Sequence, residues 1–204
     1  MLTWGLYLRR FRSLIYACIL IFSAASFAQA QQINIGFSGS TPFSSVPVSA
    51  TEAYPPPSER GGTYPGANVE VLLTDRFGVN AEGAFRYHEA LYNGFQRNRP
   101  IFYSFNGLYA PRINKRITAD FTAGVGASTV MFYNKFGACN FESCPITVTG
   151  THPLLHVGGG PRYYFWHKCF VRPEANYYFV FHNPYHSDSV VRVGATIGFT
   201  IGPK

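Results

Sequence analysis

Three consecutive polar residues near the C terminus have the side chains of an acyl-transfer site. His186, Ser187 and Asp188 stand together, and His182 lies four residues earlier. A serine next to a histidine and an acid can become a nucleophile that the histidine activates as a base. Neighbouring residues of an extended chain point to opposite sides, so His186 and Ser187 would not meet on a strand. The trio is therefore a weak catalytic candidate, and we favour a polar loop.

Two of the four cysteines are also close enough to act together. Cys139 and Cys144 have four residues between them. In an exported protein, which the leader described below indicates, such a pair is expected to form a loop-closing disulfide. The alternative is a metal site in which His152 and His156 join the two cysteines, as in zinc ligation. Cys169 is left as the odd thiol.

Charged residues recur on the polar face of segments in which every second residue is apolar. They comprise four acids and four bases: Glu70, Glu82, Asp120 and Glu174, with Arg86, Arg162, Arg172 and Arg192. A buried charge is costly unless a partner compensates it, so equal numbers of both signs predict an ion-pair network inside a barrel. No cofactor is predicted, because Gly158-Gly159-Gly160 lacks the Lys-Ser/Thr of a phosphate loop.

The first 30 residues have the organisation of a secretory signal peptide. A stretch with three arginines precedes the apolar run 14–28, and Ala28 and Ala30 frame a cleavage site. We expect cleavage after Ala30, so that residues 1–30 are the signal peptide and residues 31–204 form one domain. An uncleaved N-terminal anchor is the alternative.

The remaining chain excludes two broad classes. Without the three leader arginines, 14 Lys and Arg stand against 10 Asp and Glu, a net charge of +4. This excess is small and no basic motif accompanies it, so we expect no nucleic-acid partner. The run 14–28 has only 15 residues and no other segment has 18 consecutive apolar residues, so no transmembrane helix is predicted.

Apolar residues alternate with polar or small ones in eight segments, most clearly from Val191 to Ile201. A strand with one apolar face can lie in lipid only if its neighbours close a ring that pairs every backbone group. The pattern therefore predicts an all-β fold, an eight-stranded antiparallel up-and-down transmembrane β-barrel. The predicted strands are residues 32–40, 67–74, 78–88, 101–110, 117–133, 154–166, 170–181 and 189–201.

The connections between these strands alternate in length. The short ones are residues 75–77, 111–116 and 167–169, whereas residues 41–66, 89–100, 134–151 and 182–188 are mostly longer. Bacterial outer-membrane barrels have short periplasmic turns and longer extracellular loops. The asymmetry predicts the same orientation here.

Four residues disturb the strand pattern. Pro161 and Pro173 fall inside the sixth and seventh predicted strands, and proline cannot donate to a ladder. We therefore expect bulges or strand ends at both prolines. Phe102 and Leu108 occupy the polar face of the fourth strand and blur its alternation.

With these strands, the Gly-rich segment 120–128 and the final strand 191–201, the sequence resembles the small eight-stranded outer-membrane barrels. This is the outer-membrane protein A-like and X-like superfamily, and the resemblance covers residues 32–201. It implies insertion by the barrel-assembly machinery, contact with outer-membrane lipid and a packed, non-conducting interior. One departure is that Phe199 is followed by five more residues, whereas such chains often end on an aromatic residue.

The expected function is that of a non-catalytic protein of the bacterial outer membrane. Its role would be envelope structure and surface interaction, with an extracellular ligand at the loops. The first alternative is an outer-membrane lipid-modifying enzyme of the lipid A acylase or deacylase type, which would use the last loop. The second is a soluble periplasmic lipocalin-like carrier of a hydrophobic ligand, with the two faces of each strand reversed.

Overall fold

The computed structural model describes residues 32–44, 59–92, 96–133, 147–185 and 187–202. This part of the chain forms nine strands: β1 (Gln32–Ser44), β2 (Tyr64–Leu72), β3 (Phe77–Phe85), β4 (Ala90–Tyr92), β5 (Gln96–Tyr109), β6 (Ile117–Tyr133), β7 (Thr147–Trp166), β8 (Cys169–Val180) and β9 (Ser189–Ile201). Within it, no helix is long and apolar enough to cross a membrane.

Eight of these strands form a closed antiparallel ring. β1 pairs with both β2 and β9, and the sheet continues from β9 through β8, β7 and β6 to β5. Pairing of β5 with β3 closes the ring. The short β4 pairs with β5 beyond the end of β3. The predicted all-β, eight-stranded up-and-down barrel is therefore confirmed.

The turns at one end of the barrel are short. Between β7 and β8 only His167 and Lys168 intervene, and His167 has a φ of 38°. Positive φ is the geometry that two-residue hairpin turns require. At the other end the strands extend further than the alternation predicted, because β5 begins at Gln96 and β7 at Thr147.

The two faces of the strands have opposite chemistry. Odd-numbered apolar side chains point outward, with 72% of Phe37, 63% of Ile197 and 60% of Val125 exposed. Even-numbered side chains fill the barrel and include buried glutamates, aspartate, arginines and asparagines. A carrier with an apolar cavity needs the reverse arrangement, so the lipocalin-like alternative is wrong.

The expected bulges or strand ends at the two prolines are not found, so this prediction is wrong. Pro161 and Pro173 are both inside strands, and the β7–β8 register places them opposite each other. The ladder between these two strands lacks three successive pairs there, between the pairs Gly159–Ala175 and Tyr163–Val171. Because neither proline has an N–H, facing each other confines the missing hydrogen bonds to one place. The register shift in this hairpin comes later, at Tyr164 and Trp166.

Candidate functional site in the barrel interior and at its mouth

A charged cluster fills the barrel near the short turns. Arg162 and Arg172 both contact Glu70 and Asp120, and Arg172 also pairs with Glu174. Arg162 Nε lies 2.9 Å from Asp120 Oδ2, and Arg172 Nη2 lies 2.9 Å from Glu174 Oε2. All five side chains are nearly inaccessible to solvent. Three carboxylates and two guanidiniums thus form one buried network.

Neighbouring strands position this cluster and complete its hydrogen bonds. Asn34 Nδ2 donates to Glu70 Oε2 at 3.0 Å, and Thr196 Oγ1 donates to Glu174 Oε2 at 3.1 Å. The Arg162 guanidinium also lies 4.5 Å from the centre of the Phe170 ring, a cation–π contact. The carboxylates therefore use both arginine and neutral donors, as buried charges require.

A second polar layer lies in the middle of the barrel. Arg192 Nη2 is 3.2 Å from Glu82 Oε1, and the Tyr178 hydroxyl donates to the same oxygen at 2.7 Å. The His156 ring stacks on Tyr178 with centroids 4.7 Å apart. This layer pairs the remaining interior glutamate with one arginine.

Both ring nitrogens of His156 are already hydrogen-bonded. Nδ1 lies 2.8 Å from Asn106 Oδ1, and Nε2 lies 3.1 Å from Asn176 Oδ1. The described residues contain no group of three His, Cys, Asp or Glu that could hold a metal ion. Cys139 and Cys144 lie outside the described residues, so their predicted disulfide stays a prediction. Cys169 is half-buried at the start of β8 and forms no disulfide within the described part of the chain.

Glycines on the interior face make room for these polar side chains. A Cβ added at Gly158 would overlap Asn176 Oδ1 and come within 2.9 Å of His156 Nε2. Gly39 faces outward in β1, and a Cβ there would meet no atom within 4 Å. Glycine is therefore needed at position 158 and replaceable at position 39.

An apolar layer closes the barrel between the polar layers and the loops. Its members are buried side chains of six strands: Tyr64, Ala84, Phe102, Leu154, Tyr178, Val180 and Val190. The Phe102 ring lies 5.3 Å from Tyr178 and 6.0 Å from Tyr64. Phe102, which blurred the alternation of its strand, thus belongs to an interior seal.

Within the described residues, Arg86 forms no ion pair with the predicted carboxylates, contrary to the prediction. It follows β3 by one residue, four positions beyond Glu82, a distance of about 13 Å along an extended chain. Its guanidinium lies beside Gly62 at the loop end, and Nε has no hydrogen-bond partner in the described structure. Alternation identified its face correctly but carried no information on its height.

The mouth of the barrel holds a buried acid that the sequence did not reveal. Glu59 is 0% exposed, and neither carboxylate oxygen has a hydrogen-bond partner within the described chain. Burial raises the pKa of Glu59 to about 8, and nearby Asn183 offsets this only in part. Glu59 has no alternating context, so only the folded loop could reveal its burial.

The last loop covers this mouth with hydrogen bonds of its own. Asn183 Nδ2 donates to the Ser187 carbonyl at 2.6 Å, and the Tyr185 hydroxyl donates to Asn98 Oδ1 at 2.6 Å. The Ser187 hydroxyl donates to the Ser189 carbonyl at 3.1 Å, and Asp188 is exposed. His186 lies outside the described residues. The structure therefore brings no nucleophile–base pair together from Ser187 and Asp188.

The architecture has counterparts among solved structures. One is Ail, the attachment invasion locus protein of Yersinia pestis, solved in complex with the heparin analogue sucrose octasulfate. It is 15% identical to this chain, with a TM-score of 0.55, and the match covers 83% of this chain and 97% of Ail. This is the fold of the small outer-membrane β-barrels. Neisserial surface protein A matches with 8% identity and a TM-score of 0.54, covering 84% and 96%.

A third similar structure is a major outer membrane protein from Thermus thermophilus, with 10% identity, a TM-score of 0.55 and coverage of 83% and 99%. By sequence, the chain matches no protein-family model and no curated protein. The resemblance inferred from the strands is therefore confirmed at the level of the fold.

Proposed function

We propose that the chain is an integral protein of a bacterial outer membrane with a non-catalytic role in envelope structure and surface interaction. The observation that carries this proposal is the polarity of the barrel wall. Its outer face is a belt of exposed apolar and aromatic side chains, and its interior is charged and packed. Lipid is the solvent that an apolar outer wall requires, and a closed ring can enter it because its strands pair their backbone groups with one another.

A diffusion pore does not fit the interior. The ion-pair cluster, the middle polar layer and the apolar seal occupy successive levels of one eight-stranded ring. A ring of eight strands is only wide enough for its own side chains. The surfaces left for function are the loops and the outer wall, and the word "attachment" in the name of Ail accords with surface interaction.

Membrane insertion is tested by washing outer membranes with carbonate or urea and comparing boiled with unboiled protein by gel electrophoresis. We expect retention in the membrane and faster migration of the unboiled band. Release by the wash, without a migration shift, would contradict the transmembrane assignment. Accessibility of the loops to protease on intact cells is the companion measurement for their orientation.

The catalytic alternative is tested in the same strain. Lipid A is extracted from cells that express the wild-type protein, His186→Ala or Ser187→Ala, and its acyl chains are counted by mass spectrometry. We expect three identical profiles. An acylation difference that depends on the protein and disappears in either variant would make it a lipid-modifying enzyme.

A further inference from the structure

The outer wall of the barrel carries charge in one place only among the described strands. Every outward-pointing strand residue is apolar, small or uncharged except Arg97 and Arg99 of β5. A guanidinium that faces the hydrocarbon core is costly, whereas one at the headgroups is not. The height of the two arginines along the barrel therefore decides whether they can interact with lipid headgroups.

That level is the polar edge of the lipid. Arg99 precedes Tyr109, at the turn end of β5, by ten residues, or about 33 Å of strand. Strands of such barrels tilt by about 40°, which reduces this length to a height of about 25 Å. An apolar band of about 25 Å is what a barrel wall presents to lipid. Arg99 therefore lies where headgroups begin, and Arg97 lies slightly beyond.

The two arginines border an open groove of about 530 Å³. Its walls are formed by the segment that follows β3, by β4 and by β5: Tyr87, His88, Glu89, Leu91, Arg97 and Arg99. Leu91 and Tyr87 are each 59% exposed, so the groove has an apolar side next to the cationic one. A molecule that is charged at one end and apolar at the other fits this surface.

Arg99 is held in place without using all its donors. One Nη2 hydrogen bond reaches the Tyr87 carbonyl at 3.4 Å, and the guanidinium lies 5.9 Å from the centre of the Tyr133 ring. Its Nε is buried and has no hydrogen-bond partner in the described structure. Arg97 pairs with Glu89 at 3.2 Å, but both side chains are well exposed and such a pair is weak.

We propose that the Arg97–Arg99 groove binds the phosphate of an anionic lipid headgroup in the leaflet at the loop end of the barrel. Guanidinium donors form bidentate, charge-assisted hydrogen bonds with phosphate oxygens. Arg97 exchanges Glu89 for the phosphate, Arg99 offers its remaining donors, and Leu91 and Tyr87 contact the acyl region. This inference rests on the proposed transmembrane placement and adds a specific lipid site to it.

The test uses the full mature protein in mixed detergent micelles that contain diphosphoryl lipid A or the same lipid with both phosphates removed. Bound lipid is counted by native mass spectrometry across a titration. We expect saturable binding of the phosphorylated lipid, and at least about tenfold weaker binding by Arg97→Gln/Arg99→Gln. The matched control, Lys115→Gln/Arg116→Gln, removes the same charge at the turn end and should bind as the wild type does.

Two results would overturn the site. One is equal affinity of the Arg97→Gln/Arg99→Gln variant and the wild type, and the other is equal binding of the dephosphorylated lipid. The boiled-against-unboiled gel is run on the same samples. If the proteins keep the migration shift and either result is observed, only the lipid site is refuted. If the wild-type protein shows no shift, the transmembrane assignment itself is refuted.

Discussion

Replacing Arg172 by glutamine should destabilise the barrel more than replacing Glu70, although the two side chains contact each other. The wild-type cluster contains three carboxylates and two guanidiniums. Arg172→Gln leaves three carboxylates with Arg162 as the one guanidinium of the cluster, whereas Glu70→Gln leaves two carboxylates and two guanidiniums. The cost therefore depends on the charge that remains, not only on the bond that is lost.

The magnitudes follow from burial. Removing one partner of a buried ion pair costs about 3–5 kcal/mol, because the other charge stays desolvated and uncompensated. We expect this cost for Arg172→Gln. For Glu70→Gln we expect about 1–3 kcal/mol, the usual loss for hydrogen bonds to charged groups, since Asp120 still contacts both arginines. The exposed Glu89 of the Arg97 pair is the control, and Glu89→Gln should cost about 0–1 kcal/mol.

The free energy of unfolding can be measured by urea titration of protein refolded into phospholipid vesicles. Trp166, the last residue of β7, is the one tryptophan after residue 30 and is 65% exposed, so its fluorescence reports insertion. The double variant Arg172→Gln/Glu70→Gln restores the wild-type excess of one carboxylate and should be more stable than Arg172→Gln. If Glu70→Gln costs as much as Arg172→Gln, or the double variant costs the sum of both, charge balance does not govern the cluster.

Three further predictions concern the mouth, the interior and the wall. The pKa of Glu59 is raised above its ordinary 4.5 to about 8. The folded state with Glu59 buried is therefore fully stable below pH 4.5, and this stability is lost as the pH rises through 8. Amide protection of the adjoining segment should fall between pH 5 and pH 9, and Glu59→Gln should abolish this change. Gly158→Ala should cost about 1–3 kcal/mol in the urea titration through overpacking, whereas Gly39→Ala should leave stability within about 0.5 kcal/mol. Val125→Arg in the middle of the outer wall should cost about 2–4 kcal/mol, and Thr129→Arg, nearer the loops, at most about 1 kcal/mol; equal costs would contradict the proposed position of the lipid.

The face of each residue could be predicted from the sequence because lipid and interior demand opposite chemistry at alternate positions. This period of two identified eight strands and the interior charges. It could not assign heights, so Arg86 was grouped with carboxylates that lie well below it. Strand ends beyond the membrane were also missed, because β4 and the first residues of β5 and β7 have no apolar alternation.

Features that depend on register could not be predicted from a single strand. Pro161 and Pro173 each predicted a local defect, but the pairing of β7 with β8 places both in one gap. His156 suggested a metal ligand by its spacing from the cysteines, whereas the fold surrounds it with Asn106 and Asn176. In both cases the decisive neighbour comes from another strand.

The apolar seal has a consequence for how this chain can change over evolutionary time. Its members belong to the strands, with Tyr64, Phe102 and Val190 coming from three different ones. Closure of the barrel therefore does not depend on any loop folding back as a plug. Loops can lengthen, shorten or exchange their sequence under pressure from whatever they meet outside, and the permeability barrier of the membrane stays intact.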